Sequence, residues 1–129
     1  MEAVCYAILF GDRVIREDNG KIGIIGSFGN LLAPSVPFQT QPWGIYIALD
    51  NVSVGEYSLT ANLVHEKTQA VVLPINIKFS QQLKGPIEIN IPVVGIWFPD
   101  YGDYSFTVNL EGQLVGSRVL RVMRPEAPK

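Results

Sequence analysis

The chain carries runs of alternating hydrophobic and polar residues, and the two clearest runs are near copies of each other. Residues 55–64 read GEYSLTANLV and residues 102–111 read GDYSFTVNLE, so that six of the ten positions are identical. In both copies the Tyr, Leu or Phe, and Ala or Val residues fall on one side of a two-residue alternation, and Ser, Thr and Asn fall on the other. Such alternation is typical of a β-strand with one buried face. Each copy is therefore predicted to be a half-buried strand that begins at a Gly-acidic-Tyr corner.

Further segments have the composition of strands, because Val, Ile, Tyr, Phe and Thr are concentrated in them. Alternation is clean in residues 71–79 and 87–93. No window of helical length shows a convincing 3.6-residue period. The other predicted strands cover residues 4–10, 21–28, 45–49 and 113–123. Turn residues separate the segments, and the predicted turns are Gly11-Asp12, residues 17–20 (EDNG), Asp50-Asn51 and Glu111-Gly112.

About eight short strands joined by turns predict an all-β protein, an antiparallel β-sandwich with immunoglobulin-like or related Greek-key connectivity. In immunoglobulin-like sandwiches a Tyr near the start of a late strand donates a hydrogen bond to upstream backbone, and Tyr104 stands at such a position. Residues 1–123 are predicted to form one domain and residues 124–129 a C-terminal tail. The duplication is explained either by two equivalent strands of a pseudo-symmetric sandwich or by chance convergence.

The composition narrows the classes of function. Of the 129 residues, 47% are hydrophobic and 17% are charged, and the net charge is −2. Charged residues make up about 25% of an average soluble domain. Either the core is large for this size, or a partner or second copy covers some apolar surface. The negative charge disfavours nucleic acid as a partner.

The N-terminal apolar run bears on localisation. No Lys or Arg precedes this run, and it is too short to cross a bilayer. Cys5 is the single cysteine, which excludes a disulfide within one chain. We therefore expect a cytoplasmic protein without a membrane partner.

Few residues have the chemistry of a catalytic or metal site. His65 is the only histidine, so one chain has no His-His metal site, and we expect His65 to be an exposed loop residue. Cys5 lies in an apolar run, where a thiol is expected to be buried and inert. We predict no catalytic residue, no metal site and no cofactor.

Aromatic residues give the main indication of a binding surface. Trp97, Phe98 and Tyr101 lie in a segment bounded by two glycines, and Trp43 follows a proline in a second group. Aromatic residues beside prolines in loops form platforms for a peptide, a sugar or another subunit. These four residues are the candidate binding site, and the alternative is that Trp97 and Phe98 pack in the core, which the sequence favours.

Two groups of segments carry a resemblance to a known family. The first comprises residues 6–9 (YAIL), 16–21 (REDNGK) and 24–28 (IIGSF), and the second comprises residues 102–106 (GDYSF) and 118–122 (RVLRV). In that order they resemble an uncharacterised family of small bacterial proteins, classed as a domain of unknown function. The resemblance implies a bacterial, intracellular, all-β protein and transfers no catalytic residue.

These observations favour a non-enzymatic β-sandwich that binds another protein, or itself, through an apolar aromatic surface. One alternative is a module that binds a small ligand, calcium or carbohydrate, through turn carboxylates and the same aromatic residues. A less favoured alternative is an enzyme that uses carboxylates such as Asp100 and Asp103 as acid and base.

Overall fold

Eleven β-strands make up the part of the chain that the structure, a computed structural model, describes, namely residues 2–126. Residues 127–129 of the predicted tail, like Met1, lie outside the described residues. Residues 2–126 include no helix that is long and apolar enough to cross a membrane. The strands are β1 (Val4–Arg16), β2 (Ile22–Phe28), β3 (Asn30–Leu32), β4 (Phe38–Gln39), β5 (Trp43–Val52), β6 (Gly55–His65), β7 (Val71–Gln81), β8 (Gly85–Val93), β9 (Trp97–Phe98), β10 (Gly102–Leu110) and β11 (Gln113–Met123).

The strands form two main sheets and one short ribbon. The four-stranded sheet has the order β2-β1-β5-β8, and the five-stranded sheet has the order β3-β11-β10-β6-β7. All neighbours pair antiparallel except β3 and β11, which pair parallel. The ribbon pairs β4 with β9. The predicted antiparallel β-sandwich is thus confirmed, whereas the immunoglobulin-like connectivity stays a prediction.

One hydrophobic core lies between the two main sheets. Because successive side chains of a strand point to opposite faces, every second residue of the alternating runs enters this core. The four-stranded sheet contributes Phe10, Ile45 and Ile47, and the five-stranded sheet contributes, among others, Leu59, Leu63, Tyr104, Phe106 and Leu110, all fully buried.

The two copies of the duplicated segment are β6 and β10, which lie side by side and antiparallel. Each begins with the same corner. The Tyr57 hydroxyl donates a hydrogen bond to the Ser53 carbonyl at 2.9 Å, and the Tyr104 hydroxyl donates to the Asp100 carbonyl at 2.7 Å. The bond predicted for Tyr104 is therefore present. The shared geometry supports two equivalent strands as the explanation of the duplication.

Two predicted turns are wrong, and each lies inside a strand. At Gly11-Asp12 the chain continues as β1 because Gly11 leaves room for Ile24, whose Cγ2 atom would lie 2.8 Å from an added Cβ. At Asp50-Asn51 the chain makes a β-bulge, with Asn51 at a φ of 59°, and β5 continues to Val52. Asn and Gly residues serve bulges and close approaches as well as turns, so the pattern alone did not separate these cases.

The other two predicted turns are confirmed. Gly20 adopts a φ of 86° in the β1–β2 turn, and Glu111 and Gly112 adopt φ values of 50° and 79° in the β10–β11 hairpin. The eight predicted strands all exist; β11 has the predicted ends, and the ends of the other strands are shifted. The three strands that were not predicted, β3, β4 and β9, have only two or three residues each and show no alternation.

Candidate functional site

The β4–β9 ribbon holds the segment that contains two of the candidate binding residues. Phe38 pairs with Phe98, and Gln39 pairs with Trp97. Thr40 fixes the approach to β9, because its N–H donates to the Ile96 carbonyl at 3.0 Å and its Oγ1 accepts from the Ile96 N–H at 3.1 Å. The backbone N–H and the backbone carbonyl of Ile96, the residue before Trp97, are therefore both held by hydrogen bonds to Thr40.

A close approach fixes the same segment from the other side. A Cβ atom at Gly95 would lie 2.6 Å from the Thr40 carbonyl oxygen, so this position requires glycine. Trp97 follows two residues later. The geometry of the chain at Trp97 is thus set by backbone contacts rather than by the indole itself.

The two adjacent aromatic residues of β9 point to opposite sides. Phe98 is fully buried and packs edge-on against the Tyr104 ring, with a centroid distance of 4.9 Å. Trp97 is 56% exposed. The core-packing alternative thus holds for Phe98, and Trp97 is a surface residue.

The other two candidate residues are held inside or against the fold. Trp43 is only 7% exposed and lies against the rings of Phe10 and Phe28, at centroid distances of 5.9 and 5.6 Å. Tyr101 is half-buried, and its hydroxyl donates to the Ala33 carbonyl at 2.9 Å. Of the four candidate residues, Trp97 alone leaves more than half of its surface in solvent.

A pocket of about 200 Å³ lies beside β4. Aromatic and aliphatic side chains form much of its lining, together with one carboxylate. The sequence had singled out Trp43 from this set, but Phe28 and Asp12 were missed, because β1, β2 and β4 meet only in the folded chain. The residues that line the pocket are Asp12, Phe28, Leu31, Phe38, Thr40, Gln41, Pro42 and Trp43.

His65 is buried, so the expectation of an exposed loop histidine is wrong. It is the last residue of β6 and only 3% exposed. Its Nε2 lies 2.9 Å from the Tyr101 carbonyl oxygen, to which it donates, and its Nδ1 accepts from the Thr68 N–H at 3.0 Å. The ring also packs edge-on against Tyr104 at 4.7 Å. The His65 ring therefore connects two segments: its Nδ1 holds the β6–β7 turn at Thr68, and its Nε2 holds the backbone at Tyr101, just before β10.

Cys5 and Asp103 have the environments of structural rather than reactive groups. Burial raises the pKa of the half-buried Cys5 thiol, as expected for a thiol in an apolar run. The Arg121 guanidinium bonds the Asp103 carboxylate at 2.6 Å and lowers the pKa of that exposed carboxyl. A general acid at neutral pH requires the opposite shift. Residues 2–126 hold no group of three or more His, Cys, Asp or Glu residues placed to bind a metal ion.

The chain matches the model of one known protein family. A family model described as "Family of unknown function (DUF6941)" matches residues 6–123. This match covers all the main strands, including the candidate residues described above. No curated protein matches the chain.

Proposed function

We propose, from the premise that this chain belongs to the DUF6941 family of unknown function, that it is a non-enzymatic module that binds a protein surface through Trp97. The observation that carries the proposal is the exposure of Trp97 on a backbone fixed by Thr40 and Gly95. Trp is enriched among residues that dominate the energy of protein interfaces.

The fixed backbone favours binding because little further ordering is needed when a partner docks. Conformational freedom lost on association subtracts from affinity, so a preorganised anchor binds more tightly than a flexible one. Val94, three residues before Trp97, is 77% exposed and adds apolar surface to the same segment. Trp97, the proposed docking surface, thus lies in a segment with a second exposed apolar side chain.

The chemistry of the titratable residues supports a role without catalysis. Both nitrogens of His65 are engaged in hydrogen bonds, the Cys5 thiol has a raised pKa, and Asp103 is paired with Arg121. None of these groups has the environment of a base, a nucleophile or an acid at neutral pH.

A cytoplasmic location is part of this proposal. Cys5 is a free thiol, and reducing compartments keep single thiols free. A bacterial origin stays an expectation from the resemblance.

Carbohydrate binding is the second candidate, and the position of Gln39 favours it. Gln39 lies opposite Trp97 across the ribbon. An indole face that stacks on a sugar and an amide that bonds its hydroxyls form a common combination of apolar and polar contacts.

Site-specific photo-crosslinking tests the proposal. A photoreactive amino acid replaces Gln39, which lies opposite Trp97 across the ribbon, in one variant and Leu83, which is 80% exposed in the β7–β8 turn, in the control. We expect discrete protein adducts from position 39 and not from position 83, and loss of binding by Trp97→Ala when the captured protein is purified and titrated. An adduct between two copies identifies self-association.

Three results would contradict the proposal. Equal amounts of adduct from both positions would show that the partner does not bind at Trp97. Unchanged binding by Trp97→Ala would show the same. Quenching of Trp97 fluorescence by an oligosaccharide, without protein adducts, favours the second candidate instead.

A further inference from the structure

The pocket beside β4 combines aromatic walls with a carboxylate. Phe28, Phe38 and Trp43 line it, and Asp12 lines it as well. The Phe28 and Trp43 rings lie 5.6 Å apart and are inclined by 54°, so they form two non-parallel walls. Phe10 packs edge-on against Trp43 from the core side, which holds that wall in place.

The pocket has the electrostatic character of a cation site. Aromatic faces carry a negative quadrupole, which attracts a cation placed over the ring. Asp12 is exposed and adds a full negative charge, and within residues 2–126 it makes no salt bridge or hydrogen bond that would neutralise it.

Within residues 2–126, no cationic side chain stacks on the three rings that line the pocket. The two guanidinium groups that stack on aromatic rings in the described part of the chain do so on rings outside the lining, Arg118 over Phe10, which packs behind Phe28 and Trp43, and Arg124 over Tyr101. Trp43 also has a buried Nε1–H without a hydrogen-bond partner. The aromatic faces of the pocket are thus available to a cation that comes from a ligand.

The lining and the size select among cations. A primary ammonium or a guanidinium loses hydrogen bonds to water when it enters a largely apolar pocket, and few acceptors replace them here. A quaternary, fully methylated ammonium has no N–H groups to satisfy and offers methyl groups to the rings. The volume of about 200 Å³ accommodates one such group but not a large ligand.

We infer that this pocket binds a quaternary, fully methylated ammonium group, with Phe28, Phe38 and Trp43 around the methyl groups and Asp12 as the counter-charge. This inference goes beyond the proposed role of Trp97 and does not depend on it. The group belongs either to a free quaternary amine such as choline or to a trimethylated lysine side chain of a protein, and both sources share the recognised chemistry.

Titration of the full chain with choline tests the charge requirement. The matched probe is 3,3-dimethylbutan-1-ol, in which a carbon atom replaces the quaternary nitrogen, so that shape is kept and charge is lost. We expect choline to bind with a dissociation constant on the order of 1 mM, at least tenfold more tightly than the neutral alcohol. The indole N–H resonance of Trp43 should shift on binding and that of Trp97 should not; the variant Trp97→Phe assigns the two signals.

The variant Asp12→Asn tests the counter-charge, and Asp18→Asn, in the exposed β1–β2 turn outside the pocket, is the control. We expect Asp12→Asn to weaken choline binding at least threefold and Asp18→Asn to leave it unchanged. Since Asp12 is exposed, its variant should fold. Phe38→Leu should weaken binding further, and its melting curve shows whether the fold is kept.

Peptides with trimethyllysine and with unmodified lysine distinguish the sources. Tighter binding of the trimethyllysine peptide than of choline assigns the site to a modified protein, and equal binding assigns it to a free amine. The inference is overturned if neither binds, if the neutral alcohol binds as tightly as choline, or if Asp12→Asn has no effect. Because none of these outcomes involves Trp97, failure here is separate from failure of the proposed docking surface.

Discussion

Two tyrosines at equivalent positions of the duplicated segment show how burial changes the value of one hydrogen bond. Tyr104 is fully buried, and its hydroxyl both donates to the Asp100 carbonyl at 2.7 Å and accepts from the Asp100 N–H at 3.3 Å. Tyr57 is half-buried and makes a single bond to the Ser53 carbonyl. Water reaches the hydroxyl of half-buried Tyr57 more easily than that of fully buried Tyr104, and removal of the Tyr104 hydroxyl loses two hydrogen bonds to the Asp100 backbone instead of one.

Removal of the two hydroxyls should therefore have unequal effects on stability. We expect Tyr104→Phe to lower the free energy of unfolding by about 1–3 kcal/mol, and Tyr57→Phe by about 0.5 kcal/mol or less. Urea unfolding of both variants against the wild-type chain measures the difference. Equal losses would show that the buried corner contributes no more than the exposed one.

At the scale of elements, two glycines let the β1–β2 arm pack on its own sheet. A Cβ at Gly44 would lie 2.7 Å from the Val14 Cγ2, and a Cβ at Gly11 would lie 2.8 Å from the Ile24 Cγ2. Val14 and Ile24 are paired across β1 and β2. The paired residues Val14 and Ile24 therefore pack against Gly44 and Gly11, two positions where a side chain does not fit.

The double-mutant cycle of Gly44→Ala and Val14→Ala tests this packing. Gly44→Ala should destabilise the fold by about 1–3 kcal/mol because the methyl group displaces Val14. In the double variant the shortened Val14 relieves part of the overlap, so the combined loss should be smaller than the sum by at least about 0.5 kcal/mol.

Gly29→Ala is the control for that cycle. Its added Cβ would meet only the flexible end of Arg118, at 3.3 Å, and its stability should stay within about 0.5 kcal/mol of wild type. Strictly additive losses in the cycle would show that Val14 does not rest on Gly44.

Strands whose hydrophobic and polar side chains alternate were predicted correctly from the sequence. The prediction was wrong where close backbone approaches and bulges, rather than alternation, determine whether the chain turns or continues as a strand. Alternation marks a strand because one face of it is buried, which explains why β6, β7, β8 and β10 were all predicted. Gly11 and Asn51 were assigned to turns because close approaches and bulges use the same residue types as turns. Strands of two residues such as β9 carry no period at all.

The candidate site was predicted in part for the same reason. The aromatic segment was visible as a sequence, but its side-by-side residues Trp97 and Phe98 divide between surface and core, and only the register of β9 decides which is which. His65 was expected on a loop because polar residues follow it. Its burial depends on the backbone groups of Thr68 and Tyr101, which no local pattern specifies.

At the scale of the whole molecule, a single hydrophobic core joins the two main sheets. One edge strand of each main sheet carries prolines, Pro74 in β7 and Pro86 and Pro92 in β8, whereas the opposite edges, β3 and β2, carry none. Proline removes a backbone donor and so discourages pairing with another chain along a sheet edge. Trp97 lies in the β4–β9 ribbon rather than in either main sheet, so the proposed interaction through it does not require extension of those sheets.

One core implies one cooperative transition, which tests the prediction that residues 1–123 form a single domain. In a Trp97→Phe background the fluorescence of buried Trp43 reports on the core, and far-ultraviolet circular dichroism reports on the strands. We expect both signals to give the same urea midpoint and the same slope. Separate midpoints would show that the two sheets unfold independently.

The order of strands in the five-stranded sheet has a consequence for synthesis on the ribosome. All strands of the four-stranded sheet have been made by Val93, whereas β10 and β11, which lie between β3 and β6 in the other sheet, are made last. Those two strands bring Tyr104, Phe106 and Leu120, all fully buried, and β3 waits for the final residues of β11 as its partner. A nascent chain thus exposes part of the inner face of its first sheet until β10 and β11 have left the ribosome, so until then it should depend on chaperones that shield apolar strands.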